Sequence, residues 1–360
     1  MAKHRVWFSR ASSSLHPALL TLKQRPLGGD LEIYSSHSQW DSPALCASDV
    51  ALLEPAELKG NAYVQWCLDF CREHRIDVFV PGGARSQIAD RREEFASVGT
   101  RILVAADGPT LKHLEDKSGF LAGVPPEIAP IARYVTVNTA AEFADAVTTL
   151  QATCEKVCFK PSQSIFGLGF YVLKEGLQPV NRLLDGYANV ISFEEAHRIL
   201  ATQEKFRDVL VMEYLPGNEY SVDCVGRRGE LVCAIVRAKL RGDDSVGSSQ
   251  LVQGNPEVEQ MARAITHRYG LDGLYNMQFR EGADGGRPKL LEVNGRMSGG
   301  MALACLTGIH LLELAIQVTL AGPDAPLPEV RKVGSPVRAQ QAFSAFPAVH
   351  VVSQGSSTSR

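Results

Sequence analysis

No CxxC pair occurs in this chain, and no histidine cluster accompanies its eight cysteines, Cys46, Cys67, Cys71, Cys154, Cys158, Cys224, Cys233 and Cys305. That scatter argues against a metal or redox site and leaves buried, reduced thiols as the expectation. No uninterrupted apolar run of about 18 residues is present, so no segment reads as a membrane-spanning helix. The opening "MAKHRVWFSRASSS" has too short an apolar core for a signal peptide, and a cytoplasmic location is expected. Strong charge of either sign is also missing. A formal charge of −3 gives no global attraction to nucleic acid or to an anionic membrane. Neither is expected as a partner, and an anionic ligand must be held by individually placed residues. There is no internal repeat.

What is present is the composition of a soluble globular chain, 45% hydrophobic and 21% charged, long enough at 360 residues for two or three subdomains. Over residues 1–107, "RVWF", "LEIY", "DVFVPGG" and "RILVAA" read as strands. "NAYVQWCLDFCREH" reads as a helix, with Val64, Cys67, Leu68 and Cys71 on one face. This pattern predicts an α/β domain with a parallel βαβ sheet. "DGPTLKHLEDKSGFLAGVPPEIAP" predicts a short connector helix capped by Thr110 or Asp107 and broken by Gly123, Pro125 and Pro126.

A second unit over 108–212 then carries strand "KVCFKP", a glycine-containing loop, strand "FYVL", a less regular stretch and strand "VLVMEY". A third, over 213–350, carries "EYSVDCVG", "ELVCAIVR", a helix from Pro256 to Tyr269, "LYNMQFR", "KLLEVN" and helix "GIHLLELAIQVTL". These segments predict α+β architecture with an antiparallel sheet. The Ser-rich tail 351–360 is expected to be disordered.

Three stretches carry candidate chemistry. In "KLLEVNGRMSGG", residues two apart on a strand share a face, so Glu292 and Asn294 point the same way, and Arg296 continues the alternation. Gln278, on the preceding strand, could join them. Such oxygen donors suit Mg²⁺, which takes one or two carboxylates with phosphate and water. A strand end with solvated polar residues explains the same spacing. In "VMEYLPGNEYSVD", the backbone from Glu213 through Tyr214 to Leu215 can bond an adenine edge, and Glu219 can accept from ribose hydroxyls; a plain interstrand turn fits equally. In "CFKPSQSIFGLGFYVL", Lys160 precedes Ser162, Ser164, Gly167 and Gly169, which can cradle a phosphate or simply make a hairpin.

Their order along the chain resembles the ATP-grasp superfamily, in its carbamoyl-phosphate-synthase-like carboxylate–amine/thiol ligase branch. Lysine in "LEDKSGF", strand–Lys–Pro with a glycine loop, "MEYLPGNEYSVD", "NMQF" and "LLEVNGRMSGG" carry the resemblance from about Asp107 to Gly322. It implies an ATP-grasp fold preceded by a Rossmann-like βαβ domain: connector helix and lid over 108–212, catalytic subdomain over 213–350.

The resemblance also implies ATP and Mg²⁺ or Mn²⁺ as cofactors, with Lys117 and Lys160 on phosphates and Ser162, Ser164, Gly167 and Gly169 in the loop above them. Glu213, Tyr214 and Leu215 would frame adenine, Glu219 the ribose, and Gln278, Glu292 and Asn294 the metal. Arg296 would lie at the transferred phosphoryl group, and Arg237 near phosphate or acceptor carboxylate. The implied activity is an ADP-forming ligase joining a small carboxylate to an amine; the oligomeric state is left open, a homodimer being common among relatives of this kind. A nucleotide-binding regulator without turnover and a small-molecule phosphotransferase are the alternatives.

Two departures stand out. The family often has N-P-R where this chain has Asn294-Gly295-Arg296, and "SQSIFGLG" is poorer in glycine than the usual phosphate loop, with Ile165 and Phe166 available as an apolar cover. This loop is similar to that of ATP-grasp proteins associated with tellurium-resistance operons. For the substrates, "FSRASSSLHP" with Arg10 and Ser12 to Ser14, "PGGARSQ" with Arg85, and "KLRGDDSVGSSQLVQG" are candidate borders or plain loops.

Overall fold

The structure, a computed structural model, describes residues 3–10, 13–163, 168–178, 180, 184, 189–239, 249–283, 285–331 and 333–340. Ser12, Ser164, Ile165, Phe166, Gly167 and the tail 351–360 lie outside the described residues, as does most of the 239–254 segment. Contacts divide the chain into two compact units. One comprises Met1–Lys112, Tyr220–Met277 and Val293–Arg360; the other comprises His113–Glu219 and Gln278–Glu292.

In the first unit, β1 (His4–Ser9), β2 (Leu31–His37), β3 (Val50–Leu53), β4 (Val78–Pro81) and β5 (Arg101–Ile102) form a sheet of order β3-β2-β1-β4-β5, parallel at every pairing. Parallel strands are covered on both faces, and β1 is apolar on both. Val6 and Phe8 meet the helix Leu15–Lys23 through its buried Leu15, Ala18, Leu19 and Leu22. Trp7 instead stacks on Phe79 at 4.3 Å and packs at a tilt against Phe70 of the helix Gly60–His74 at 4.2 Å. All four residues of the expected helical stripe, Val64, Cys67, Leu68 and Cys71, are buried. The βαβ reading therefore holds, with β3 added.

The second unit carries β6 (Tyr134–Val137), β7 (Val157–Pro161), β8 (Tyr171–Leu173), β9 (Val190–Ile191) and β10 (Val209–Glu213), in the order β6-β10-β7-β8-β9. One face is sealed by Phe143, Val147 and Leu150 of the helix Ala140–Gln151. That helix starts where Thr139 Oγ1 accepts from Glu142 N at 3.2 Å while Glu142 accepts from Asn138 N at 2.9 Å, a reciprocal cap.

A six-stranded sheet follows: β11 (Glu219–Arg227), β12 (Glu230–Lys239), β13 (Gln250–Val252), β14 (Gly273–Arg280), β15 (Lys289–Asn294) and β16 (Val337–Ala339), ordered β15-β14-β11-β12-β13-β16. β12–β13 and β13–β16 pair antiparallel. The unit boundaries fall at the start of β11 and inside β14 and β15.

In the first unit, Val225, Ile235 and Leu274 of this sheet and Leu312 and Ile316 of the helix Leu311–Ala321 share one core with Val6, Phe8 and Leu19. His310 Nε2 and Thr21 Oγ1 lie 3.0 Å apart, and Arg25 donates to Glu313 at 2.9 Å. Among the described residues no single helix is long and apolar enough to cross a membrane.

The connector differs from the expectation. Two helices, Gly108–Glu115 and Lys117–Ala122, replace one, and they meet at Asp116, whose backbone is extended (φ −88, ψ 91). Asp107, rather than Thr110, caps the first: its Oδ1 accepts from Thr110 N at 2.8 Å. The cysteines are free, as expected, but only five are buried; Cys46, Cys154 and Cys305 are half-buried. Burial pushes the thiols of Cys158 and Cys233 up to about 12.

Candidate nucleotide site

In the second unit the break at Asp116 makes Lys117 the first residue of its helix and leaves it buried. Its Nζ lies 3.2 Å from Glu292 Oε2, both side chains being almost enclosed. Lys160, on β7, faces the same group. Burial lowers its pKa first, Glu292 pulls it back up and Lys117 pushes it down again. Glu292 thus pairs with Lys117 and lies within electrostatic reach of Lys160. Such a cluster is short of negative charge, and an anion of the phosphate kind relieves it.

The strand pattern supplies a surface beside these lysines. On β7 Cys158 and Lys160 share a face; the register sets them opposite Met212 and Leu210 of β10. Cys158, Met212 and Leu215 are buried there, with Phe170, Val172 and Leu291 partly buried against them. This apolar base suits a flat heterocycle.

Around it, hydroxyls tie the two lysine-bearing segments together. Asp116 Oδ1 accepts from Ser118 Oγ at 2.7 Å and from Ser162 Oγ at 3.2 Å, and the two serine hydroxyl oxygens lie 3.1 Å apart. The Ser118 bond is the chief reason the Asp116 carboxyl stays below its ordinary range. Gly169, at φ +78, would put a Cβ 2.8 Å from Pro161 Cδ, so no other residue fits that turn.

Glu213 points elsewhere. Both its oxygens accept from Lys289 Nζ at 2.8 Å, and Oε2 takes Arg133 N at 3.3 Å. Burial pushes its carboxyl up, but Lys289 and Arg133 outweigh that and the net shift is downward. What Glu213 presents to the apolar face is its backbone, whose carbonyl accepts from Cys158 Sγ at 3.8 Å. Glu219 pairs with Arg280 at 3.6 Å, and the Arg280 guanidinium lies 5.5 Å from the centre of the Tyr214 ring. Gln278 is half-buried on β14, next to β15.

The other expected residues belong to the first unit. Asn294 ends β15, and Arg296 N donates to its carbonyl at 2.7 Å in a tight turn. Arg237 is buried with Asp223, Nε donating to Oδ2 at 2.7 Å. Its remaining edges go to Gln250, to Ser221 at 2.8 Å and to Ser298 at 3.0 Å. Asn276 closes the network by donating to Asp223 Oδ1 at 3.0 Å. A side chain at Gly300 would strike Arg237, at 2.4 Å from Nη1.

Lys289, Arg280, Asp116, Asp223 and Asn276 were not singled out in the sequence. Only alternation hinted at one of them, Asn276, which precedes Gln278 by two positions.

Residues 205–342 match the family model described as "ATP-grasp in the biosynthetic pathway with Ter operon". No curated protein matches the chain. Among solved structures, N5-carboxyaminoimidazole ribonucleotide synthetase in complex with ADP superposes with a TM-score of 0.65 at 14% identity, covering 93% of this chain and 81% of that one. The L-amino acid ligase from Bacillus licheniformis gives 0.60 at 14%, covering 89% and 75%. The biotin carboxylase domain of the Hydrogenobacter thermophilus 2-oxoglutarate carboxylase, in complex with MgADP and bicarbonate, gives 0.61 at 13%, covering 89% and 70%. The chain has the ATP-grasp fold of these structures. The parallel sheet lies in the first unit, and Lys117 and Lys160 lie in the second.

The donor set also bears on a metal. Among the described residues no three His, Cys, Asp or Glu side chains gather to hold an ion by themselves. Within the second unit, the carboxylate of Glu292 on β15 and the amide of Gln278 on the neighbouring β14 are donors of the kind a hard cation takes when its remaining ligands come from phosphate and water.

Proposed function

We propose that this ATP-grasp protein is an ADP-forming ligase that joins a small carboxylate to an amine through an acyl phosphate. The observation that carries the reading is the Lys117–Glu292 ion pair, with Lys160 within reach of both charges, beside an apolar face. Adenine lies on that face, bonded by the backbone of Glu213 to Leu215, with Glu219 at the ribose and the two lysines on the phosphates. Gln278, Glu292 and Asn294 hold Mg²⁺ or Mn²⁺, whose charge offsets that of the phosphate oxygens. The solved relatives bound to ADP and MgADP support these cofactors.

A carboxylate oxygen of the substrate attacks the γ-phosphorus, and the bond to the leaving ADP oxygen breaks. Amine nitrogen then attacks the acyl carbon, phosphate departs, and the nitrogen loses a proton. Phosphoryl transfer gives the protein little covalent work, so positioning and charge dominate. Arg296 steadies the transferred phosphoryl group. Arg237, with its guanidinium shared among four partners, acts as a positioning residue that holds Ser298 and so the loop carrying Arg296.

The test is Mg²⁺-dependent ADP release from the full chain, offered ATP with pooled carboxylates and amines. ADP is expected only when one of each is present, and Glu292→Gln should cut the rate at least about tenfold. ADP formation that needs no amine, or that Glu292→Gln leaves intact, would overturn the reading.

A further inference from the structure

A cavity of about 410 Å³ lies in the first unit, on the flank of the parallel sheet where β5 is the edge strand. Small-molecule sites span about 300–1,000 Å³, so it has room for one. Its walls come from all three stretches that build the unit. The helix Arg92–Ser97 and β5 belong to Met1–Lys112, the β11–β12 turn and the start of β14 to Tyr220–Met277, and the end of the helix Leu311–Ala321 to Val293–Arg360.

Backbone contacts hold these walls in place. Asp272 N donates to Ala105 O at 2.7 Å, and a Cβ on Gly273, at φ +54, would lie 3.0 Å from Val104 O, so β14 begins against the chain that follows β5. Opposite, Arg101 Nη1 donates to Thr319 O at 3.2 Å and to Leu320 O, carbonyls left over at a helix C-terminus. Arg227 Nη1 donates to Gly322 O at 3.4 Å.

Four guanidinia line this cavity, those of Arg92, Arg101, Arg227 and Arg228, and its lining holds no lysine or histidine. Most of their donors are unspent. A guanidinium has five N–H groups. Among the described residues, Arg101 and Arg227 commit Nη1 alone, and Arg228 reaches an exposed Asp324 at 3.7 Å. Arg92 is half-buried and makes no hydrogen bond or ion pair with a described residue; it and Arg228 meet Asp272 through the field alone.

The three carboxylates in the lining do not balance them. Asp272 accepts from Gly273 N at 2.9 Å, Asp107 caps Thr110 N at 2.8 Å, and Glu93 is exposed. Burial pushes the Asp272 carboxyl up from its ordinary value against the pull of Gly273, Arg92 and Arg228, so its charge is disfavoured there.

We infer that this cavity is a binding site for a small organic phosphate whose oxygens the four guanidinia share. Cations that are all arginine favour an oxyanion, which the planar fork meets through two parallel bonds. Phosphate rather than carboxylate follows from number: four forks exceed what two oxygens and one charge can occupy, whereas a phosphate monoester offers three oxygens and close to two charges. Val104, Ala106 and Val318 supply apolar wall for the carbon skeleton. An occupant ties the three stretches together and so stabilises the first unit. The site lies wholly within that unit and needs neither ATP nor ligase activity.

Titration calorimetry on the full-length protein tests it, with inorganic phosphate, glycerol 3-phosphate, glucose 6-phosphate and phosphoserine set against succinate and citrate at matched ionic strength. Wild type is compared with Arg92→Met and with Lys160→Met, which removes a cation of the nucleotide site instead. At least one organic phosphate is expected to bind wild type and Lys160→Met alike, to raise the thermal transition of both, and to weaken about tenfold or more in Arg92→Met, since a charged hydrogen bond is lost. Should Arg92→Met fail to fold, phenylglyoxal modification of wild type decides: the bound phosphate should protect Arg92 and Arg228, as read by mass spectrometry. A panel with no phosphate binder, binding lost in Lys160→Met but kept in Arg92→Met, carboxylates that bind as tightly as the phosphates, or no protection of Arg92 would each overturn the site.

Discussion

Lys160 is the residue at which burial and charge compete most directly. Its ammonium is disfavoured by burial and by Lys117 and favoured by Glu292, and the net shift is downward. If the ammonium holds phosphate, ATP affinity is full at low pH and falls as pH rises through a pKa below the ordinary lysine value of 10.5. Glu292→Gln should move that alkaline limb to lower pH, and Lys117→Met should move it to higher pH. The pH profile of Lys160 modification, read by mass spectrometry, checks both signs; equal profiles in the two variants would uncouple the three groups.

Arg237 calls for a different measurement. Arg237→Met strands Asp223 in the interior, at a cost of about 3–5 kcal/mol. Urea unfolding should show it as a lower midpoint at unchanged slope. Lys160 and Glu292 stood out in the sequence as charged side chains near strand ends, whereas Lys117 came only from the resemblance, since the bend at Asp116 that starts its helix was not readable. The roles of Asp223, Arg280 and Lys289 were not legible either, since each depends on a partner between 14 and 76 positions away that only sheet register brings close.

At the scale of elements, strong periodicity was readable and pairing was not. The helix Gly60–His74 and strands β1, β7, β10 and β15 announce themselves by apolar spacing. β3, β9 and β16 are short, two to four residues, and owe their existence to the neighbours they join. The connector split at Asp116 was hidden for a related reason, because the hydroxyls that hold that bend, Ser118 and Ser162, come from two segments.

The join of β10 to β15 carries its own prediction. Glu213 is held below its ordinary carboxyl range, so it binds fewer protons folded than unfolded. Its contribution is present above the unfolded value of 4.5 and is lost as pH falls through the lower folded value. Glu213→Gln should therefore cost about 1 kcal/mol near neutral pH, for a partly exposed pair. The difference from wild type should vanish in acid, as urea titrations at several pH values would show; a difference independent of pH would assign the effect to packing.

For the whole molecule, the decisive fact is that the chain leaves and re-enters the first unit. That unit is built from Met1–Lys112, Tyr220–Met277 and Val293–Arg360. Val6, Phe8, Leu15 and Leu19 come from its first segment, Val225, Ile235 and Leu274 from its second, and Leu312 and Ile316 from its third, and all belong to one buried cluster. A sequence reading that assigns consecutive stretches to consecutive domains draws its borders through this core.

The consequence can be tested by cutting the chain after Lys112. Fragment 113–360 would expose the apolar surfaces of Ile235 and Leu312 that the first segment covers, at roughly 25 cal/mol for each square ångström left in water. Against a typical net stability of about 5–15 kcal/mol, several such side chains suffice to unfold what remains of that unit. The fragment should lose the cooperative thermal transition of the first unit, while the second unit, whose segments it retains whole, keeps one. Two sharp transitions in the fragment would mean that the six-stranded sheet closes its own core, and that the parallel sheet is an appended domain rather than half of a shared one.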